Sequence, residues 1–237
     1  LDVLWVPAHT LPVLRKPGLA TVVTIHGLEY EYLPGYYGEF ARWHLTWSTE
    51  YAVQHATKVI AVTQFTKRAL MERLGAAPEK IEVVYEGVGR ATRSDLVSLQ
   101  DQILKRFRLK SREYLLFIGT IQPRKNLVRL IEAFGQIDKS SRFKESRILD
   151  LKSGQINKSL KLVIAGKLGW QYEEILAAPK KFGVEDKVVF TGFLPDAERQ
   201  VLLANALAYV QPSLTEGFGL PVLEAMKYGC PVIISNV

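Results

Sequence analysis

Cysteine is nearly absent from this sequence. Cys230 stands alone among 237 residues, so no disulfide can form within the chain, and a disulfide-stapled scaffold is excluded. A lone thiol fits a reducing compartment. No apolar run reaches the roughly 18 residues that a membrane span needs. The opening segment LDVLWVPAHT has no basic n-region and does not read as a signal peptide. There is no G-x-S-x-G, no Walker A sequence and no complete G-x-G-x-x-G. No Cys/His or carboxylate cluster has the spacing of a metal site. These absences argue against an α/β-hydrolase, a P-loop enzyme, a dinucleotide-dependent oxidoreductase and a zinc module.

What is present is ordinary for a globular chain: 48% hydrophobic and 23% charged residues, enough to bury a core in one large or two small domains. The formal net charge is +7. It is concentrated mid-chain, with ten basic against five acidic residues in 86–137 and seven against three in 138–161. Such an excess attracts an anion or acidic lipid headgroups, or it is a solvated linker and loop. The run Lys105-Arg106-Phe107-Arg108-Leu109-Lys110 has no nucleic-acid reader motif around it, so no nucleic-acid partner is expected.

Short β-branched runs alternate with helical patterns. Strands are expected at 20–25, 58–62, 81–85, 114–118, 161–165, 187–190, 206–210 and 231–234. Most are continuously apolar, as parallel strands buried on both faces are. Helices are expected at 39–55, 64–74, 125–137, 170–182, 196–204 and 219–228. Strand–helix repetition predicts an α/β chain of two doubly wound, Rossmann-like parallel sheets. The polar, basic stretch 86–113 divides them. The boundaries expected are a first domain over 1–88, a linker over 89–113 and a second domain over 114–237. Residues 138–160 read as a mobile surface insertion. In the helix 39–55, Phe40, Trp43, Leu45, Trp47 and Tyr51 are expected to pack into the core, with contact to a bilayer as the other use. Both ends look cut, so both sheets are expected to be incomplete and the chain to be part of a longer protein.

Open α/β sheets bind ligands outside the carboxyl ends of their strands. His26-Gly27 follows the strand 20–25, Gly119 to Asn126 follows 114–118, and Gln211 to Gly219 follows 206–210. Glycines and ionisable groups therefore collect at one edge. In Glu216-Gly217-Phe218-Gly219-Leu220-Pro221-Val222-Leu223-Glu224, two glycines beside a helix start let backbone N–H groups approach a phosphate or hydroxyl closely. Glu216 lies on the loop and Glu224 about two turns into the helix, so the two carboxylates can address different parts of one ligand. Solvated surface acids are the alternative. Pro123-Arg124-Lys125-Asn126 is expected to open a helix. A cation there opposes the helix dipole unless an anion is bound as well. Lys125 about 4 Å from a phosphate would gain roughly 4 kcal/mol at an effective dielectric of 20, before desolvation. His9, His44 and His55 have no comparable placement.

These segments together resemble one family. EGFGLPVLE at 216–224 resembles the E-x7-E motif of the retaining group 1 (family 4) glycosyltransferases. FIGTIQPRKNLVRLIEAF at 117–134, LVIAGK at 162–167, VVFTGFLPD at 188–196 and EAMKYGCPVIIS at 224–235 are similar to that family in order and spacing. VVTIHGLEY at 22–30 and VIAVTQFTKRAL with KIEVVYEGV across 59–88 are similar to its N-terminal half. The GTIQPRKN form looks like mannosyltransferase-type members. The resemblance implies the GT-B architecture and transfer of a sugar from a nucleoside-diphosphate sugar to an acceptor hydroxyl, with anomeric configuration retained. It implies that Lys125 meets the donor diphosphate, Glu224 the ribose hydroxyls and Glu216 the transferred sugar. The Gly217–Gly219 backbone, with Phe218 and Leu220 around it, would line the donor, and His26 would orient the reacting sugar. Many members carry an arginine where Thr120 follows Gly119, so one diphosphate contact is either missing here or supplied by Arg124. No cofactor and no metal are implied. The acceptor expected is a saccharide or lipid-linked saccharide in envelope polysaccharide biosynthesis, reached in the cytoplasm or peripherally at the inner face of the membrane. A non-catalytic nucleotide-sugar-binding or scaffolding subunit of the same fold is the competing reading, and donor hydrolysis or transfer in vitro discriminates the two.

Overall fold

The computed structural model describes residues 2–89, 94–139 and 160–236. They form two compact units, Leu1–Gly87 with Thr215–Leu220, and Val88–Leu214 with Pro221–Val237.

The first unit holds β1 (Val3–Val6), β2 (Ala20–Ile25), α1 (Glu29–Tyr32), α2 (Glu39–His55), β3 (Lys58–Ala61), α3 (Gln64–Leu74) and β4 (Ile81–Val83). All four strands are parallel, in the order β1-β2-β3-β4, with Val23 opposite Val6 and Val59. Val23, Ile25, Val59, Ala61 and Ile81 turn into one core with Leu28, Tyr30, Ala52, Val53, Ala69 and Leu70. Local chemistry fixes the helix ends. The Thr63 hydroxyl caps α3 by accepting from the Thr66 N–H at 3.0 Å, and Gly75, at φ 61°, ends it in the left-handed region. On α2, Leu45 and Tyr51 pack against the core as expected, but Phe40 (77% exposed), Trp43 (60%) and Trp47 (45%) do not. The reason is helical phase: Ser48, Thr49, Ala52 and Val53 are the buried stripe, and 40, 43 and 47 lie on the other side.

The second unit holds α4 (Ser94–Arg106), β5 (Tyr114–Ile118), α5 (Leu127–Lys139), β6 (Lys161–Ala165), α6 (Glu173–Phe182), β7 (Val188–Gly192), α7 (Asp196–Asn205), β8 (Ala208–Gln211), α8 (Leu220–Lys227) and β9 (Val232–Ile234), although the first residue of α8 groups with the first unit. Its five strands are parallel in the order β7-β6-β5-β8-β9. The chain winds one way from β5 to β7 and the other way from β8 to β9, so the sheet is doubly wound with its switch between β5 and β8. Both faces are covered. Leu116 and Ile118 face a core shared with α4 and α7, while Phe117 faces a second core with Leu127, Leu130, Ile131 and Phe134 of α5. That two-sided burial explains why these strands read as unbroken apolar runs.

Two expectations change here. The polar stretch 86–113 contains α4, whose Ile103 and Leu104, with Leu109 just after it, are buried in the second unit's core. The high charge of the segment hides this narrow apolar stripe, and Arg106 points outward to Glu198 at 2.9 Å. The helix expected at 125 begins instead at Leu127. Pro123–Lys125 forms a separate 3-10 turn, and Asn126, at φ 58°, breaks the chain direction before α5. The expected insertion at 138–160 lies, over 140–159, outside the described residues.

Candidate active site

In the second unit the site is built on the switch point. Gly119 closes β5, and its N–H donates to the Ala165 carbonyl at 2.9 Å. The loop after β5 and the loop after β8 are tied to each other. The Leu214 N–H donates to the Arg124 carbonyl at 2.9 Å, and Asn126 Nδ2 donates to the Pro212 carbonyl at 3.1 Å. The two segments singled out in the sequence, 119–126 and the start of 211–219, thus meet at the crevice where an open α/β sheet takes its ligand. Half-buried Lys125 folds its stem back over the strand end: a Cβ added to Gly119 would lie 3.9 Å from Lys125 Cε. Lys125 is therefore not in the first turn of α5, and what holds it is the 3-10 turn. The methyl of Thr120 packs against Gly169, where an added Cβ would approach to 2.8 Å. Arg124 is half-buried in the same turn.

Glu224 sits in α8, about one turn from its start rather than two. Its Oε1 accepts from Arg199 Nη2 at 3.0 Å, while Oε2 is buried and has no hydrogen-bond partner. A buried acceptor left open is costly, and a ligand hydroxyl would satisfy it. Nearby Tyr228 shows the local field. Burial raises its pKa above the ordinary phenol value, the Glu224 charge adds to that rise, and Arg199 opposes it.

In the first unit, His26 stands at the carboxyl end of β2. Nε2 lies 2.9 Å from the Pro7 carbonyl oxygen and Nδ1 lies 2.8 Å from Glu86 Oε1. The His9 ring stacks beside it, with centroids 6.3 Å apart and planes 24° apart. His9 Nδ1 is 3.3 Å from the Thr49 hydroxyl. Burial depresses the His9 pKa below its ordinary value; the Glu29 carboxylate opposes the shift and His26 adds to it. The loop Thr215–Leu220 is seated on this group. A Cβ on Gly217 would run into the His26 carbonyl oxygen, so only glycine fits. The Gly217 carbonyl accepts from the Thr63 hydroxyl at 3.1 Å. The Phe218 ring lies 6.4 Å from that of Tyr85. Gly219, at φ 89°, turns the chain into α8 at exposed Leu220. Glu216, on the same loop, is half-buried.

The structure thus gathers His26 with Gly217 and Phe218, and Gly119 and Thr120 with Arg124 and Lys125. It adds His9, Glu29, Thr63, Glu86 and Arg199, which the sequence does not single out. Thr63 and Glu86 follow strands β3 and β4, so the strand-end rule that selects His26 selects them too. Among the described residues, no group of three or more His, Cys, Asp or Glu side chains is arranged to hold a metal ion.

Comparison with known proteins identifies the family of the chain. Residues 100–237 match the family model for glycosyl transferases group 1, and residues 2–91 match that for glycosyltransferase family 4. The chain belongs to the group 1 glycosyltransferases. Among family relatives, the O-antigen chain mannosyltransferase B of Escherichia coli is 26% identical over 91% of this chain and 53% of its own length. The O-antigen chain mannosyltransferase RfbU of Salmonella typhimurium is 24% identical over 97% of this chain and 54% of its own length. This chain therefore spans about half the length of these relatives. Among solved structures, WaaG, a glycosyltransferase involved in lipopolysaccharide biosynthesis, superposes with a TM-score of 0.71 at 19% identity, covering 100% of this chain and 60% of WaaG. HepE of Anabaena, crystallised with UDP and glucose, gives 0.66 at 20% identity, covering 92% of this chain and 53% of HepE. The paired parallel sheets share the GT-B fold of these enzymes.

Proposed function

We propose that the protein transfers a hexose from a nucleoside-diphosphate sugar to an acceptor hydroxyl with retention of anomeric configuration. The observation that carries this reading is the switch point of the second sheet. There the β5 and β8 loops are hydrogen-bonded together, Lys125 lies over the strand end, and Glu224 holds out a buried oxygen with no hydrogen-bond partner. In this reading Lys125 meets the diphosphate, Arg124 assists it, and Glu224 Oε2 accepts from a ribose hydroxyl. Glu216 addresses the transferred sugar, and the Gly217–Gly219 backbone lies along it. The barrier is departure of a diphosphate from an oxocarbenium-like carbon. A fixed cation aimed at the developing charge lowers that barrier without reorganising during the step. The leaving phosphate takes the acceptor proton, so no separate general base and no metal ion enter the scheme. UDP and glucose in HepE support a nucleotide-sugar donor, and the two O-antigen mannosyltransferases support mannose and a growing envelope polysaccharide.

The acceptor is a saccharide or lipid-linked saccharide, met in the cytoplasm or at the inner face of the membrane. No helix among the described residues is long and apolar enough to cross a membrane. The exposed Phe40, Trp43 and Trp47 of α2 give an apolar surface for peripheral contact with lipid.

The test is product formation by the full-length protein from UDP-, GDP- and ADP-sugars, with the anomer read by proton NMR. A product with the donor's anomeric configuration is expected, and Lys125→Ala and Glu216→Ala should each abolish it while leaving the thermal unfolding curve in place. Inversion at the anomeric carbon, or full turnover in both variants, would contradict the reading.

A further inference from the structure

Between β2 and α1 the chain runs His26-Gly27-Leu28-Glu29. Leu28 and Tyr30 turn into the core of the first unit, and Glu29 between them is half-buried. Its carboxylate does not extend into solvent. It folds back over Gly27: a Cβ added there would lie 2.8 Å from Glu29 Oε1 and 2.9 Å from Cδ and Oε2. The carboxylate thus takes the space of a side chain at 27, and only the missing Cβ of Gly27 leaves it room.

The same Oε1 lies 3.5 Å from the point where a Cβ on Gly217 would stand. Gly217 is itself held, against the His26 carbonyl and by the Thr63 hydroxyl. The carboxylate therefore stands beside a fixed stretch of the loop 215–220, and its charge reaches the His9 ring. Among the described residues, no donor bonds its oxygens. The start of α1 does not account for this placement. A helix of one turn has little dipole to complement, and the carboxylate turns back from it. A carboxylate placed in this way only accepts, so it suits a hydroxyl, whereas a diphosphate oxygen would be repelled.

We propose that Glu29 binds a sugar hydroxyl beside Gly217, through the carboxylate for which Gly27 makes room. The inference rests on the glycosyl-transfer reading, in which the Gly217–Gly219 backbone lies along the sugar. The hydroxyl is that of the transferred sugar or of the acceptor saccharide; the recognition chemistry is the same for both. Glu29 holds the hydroxyl in place and takes no proton from it.

Two variants act on the carboxylate in different ways. Glu29→Ala removes it. Gly27→Ala keeps it but displaces it, since the atoms nearest the new methyl are the end of the flexible Glu29 side chain. The full-length protein is titrated with UDP-, GDP- and ADP-sugars, and separately with methyl α-D-mannopyranoside, while saturation-transfer NMR reads which ligand protons touch the protein. Both variants are expected to lose contact to one sugar ring at an unchanged melting temperature. Loss on the donor's sugar ring, with its nucleotide protons still in contact, assigns the hydroxyl to the transferred sugar. Loss on the mannoside assigns it to the acceptor. The KM for that substrate should rise about tenfold or more in both variants, as expected for a lost hydrogen bond to a charged group. Glu29→Gln keeps an acceptor oxygen and should fall between them and the wild type. Wild-type contacts to both sugars in both variants, or no contact to either sugar ring in the wild type, would overturn the inference. If the wild type shows no nucleotide contact, the transfer reading fails, while the mannoside titration still decides the role of Glu29.

Discussion

Arg199 of α7 donates to Glu224 of α8 at 3.0 Å, and this contact aims a carboxylate whose second oxygen is buried without a hydrogen-bond partner. Removing Arg199 leaves Glu224 without its bonded cation and free to rotate. Hydrogen bonds to charged groups contribute about 1.5–3 kcal/mol. Arg199→Ala is therefore expected to weaken nucleoside-diphosphate binding by about tenfold or more. Fluorescence titration with UDP and GDP checks this, and equal affinity in variant and wild type counts against the positioning role of Arg199.

Lys125 should matter more to turnover than to folding. It is half-buried in a 3-10 turn, and its proposed work is on charge that develops during the reaction. Loss of one preorganised stabilising group typically costs about 100- to 1,000-fold in kcat. Lys125→Met keeps the stem that packs over Gly119 and removes the charge. Steady-state rates with the preferred donor are expected to drop within that range while the melting temperature holds.

Gly217 should tolerate no side chain. The β-carbon of Gly217→Ala would meet the His26 carbonyl oxygen, a backbone atom that cannot swing away. Overpacking of this kind costs about 1–3 kcal/mol. The loop is expected to lift away and lose the Thr63 hydrogen bond to the Gly217 carbonyl. Activity should fall together with a lowered melting temperature, whereas Gly18→Ala, where an added Cβ meets nothing, should show at most the mild strain of its positive φ.

The pH dependence of stability should carry a signature of His9. Its pKa is depressed in the folded state, chiefly by burial. The unfolded chain, with an ordinary histidine pKa near 6.5, therefore takes up a proton before the folded one does. The stability linked to His9 is complete above about pH 6.5 and is lost as the pH falls below that toward the folded value. Urea unfolding between pH 7.5 and 5 should show a decline that His9→Gln reduces. A slope unchanged by that substitution would contradict the assignment.

Much of the architecture is legible in the residues. The apolar runs 20–25, 114–118 and 161–165 are strands over those same bounds, and 39–55 and 64–74 are helices over theirs. Burial on both faces, or a clear cap such as Thr63 with Gly75, leaves little freedom at such elements. Helix α4 is harder to see because charge surrounds its few buried residues, Ile103 and Leu104. The start of α5 is misread because Pro123 suits a 3-10 turn as well as a first helical turn, and the left-handed Asn126 decides between them. At the site, glycine and strand-end logic finds His26, Gly119 and Gly217. It does not find Arg199, whose role depends on the fold bringing its long side chain from α7 to Glu224 of α8. Nor does sequence spacing bring His9 to His26; that pairing depends on β1 and β2 lying parallel in register.

The most direct test of the central claim, that the β5–β8 switch point grips a nucleoside diphosphate, is isothermal titration of UDP, GDP and ADP into the full-length protein and its Lys125→Ala and Glu224→Ala variants. The account predicts saturable one-to-one binding of one of these nucleotides, weakened at least about tenfold in each variant, or roughly 1.4 kcal/mol. Binding with the same affinity in wild type and both variants would contradict it.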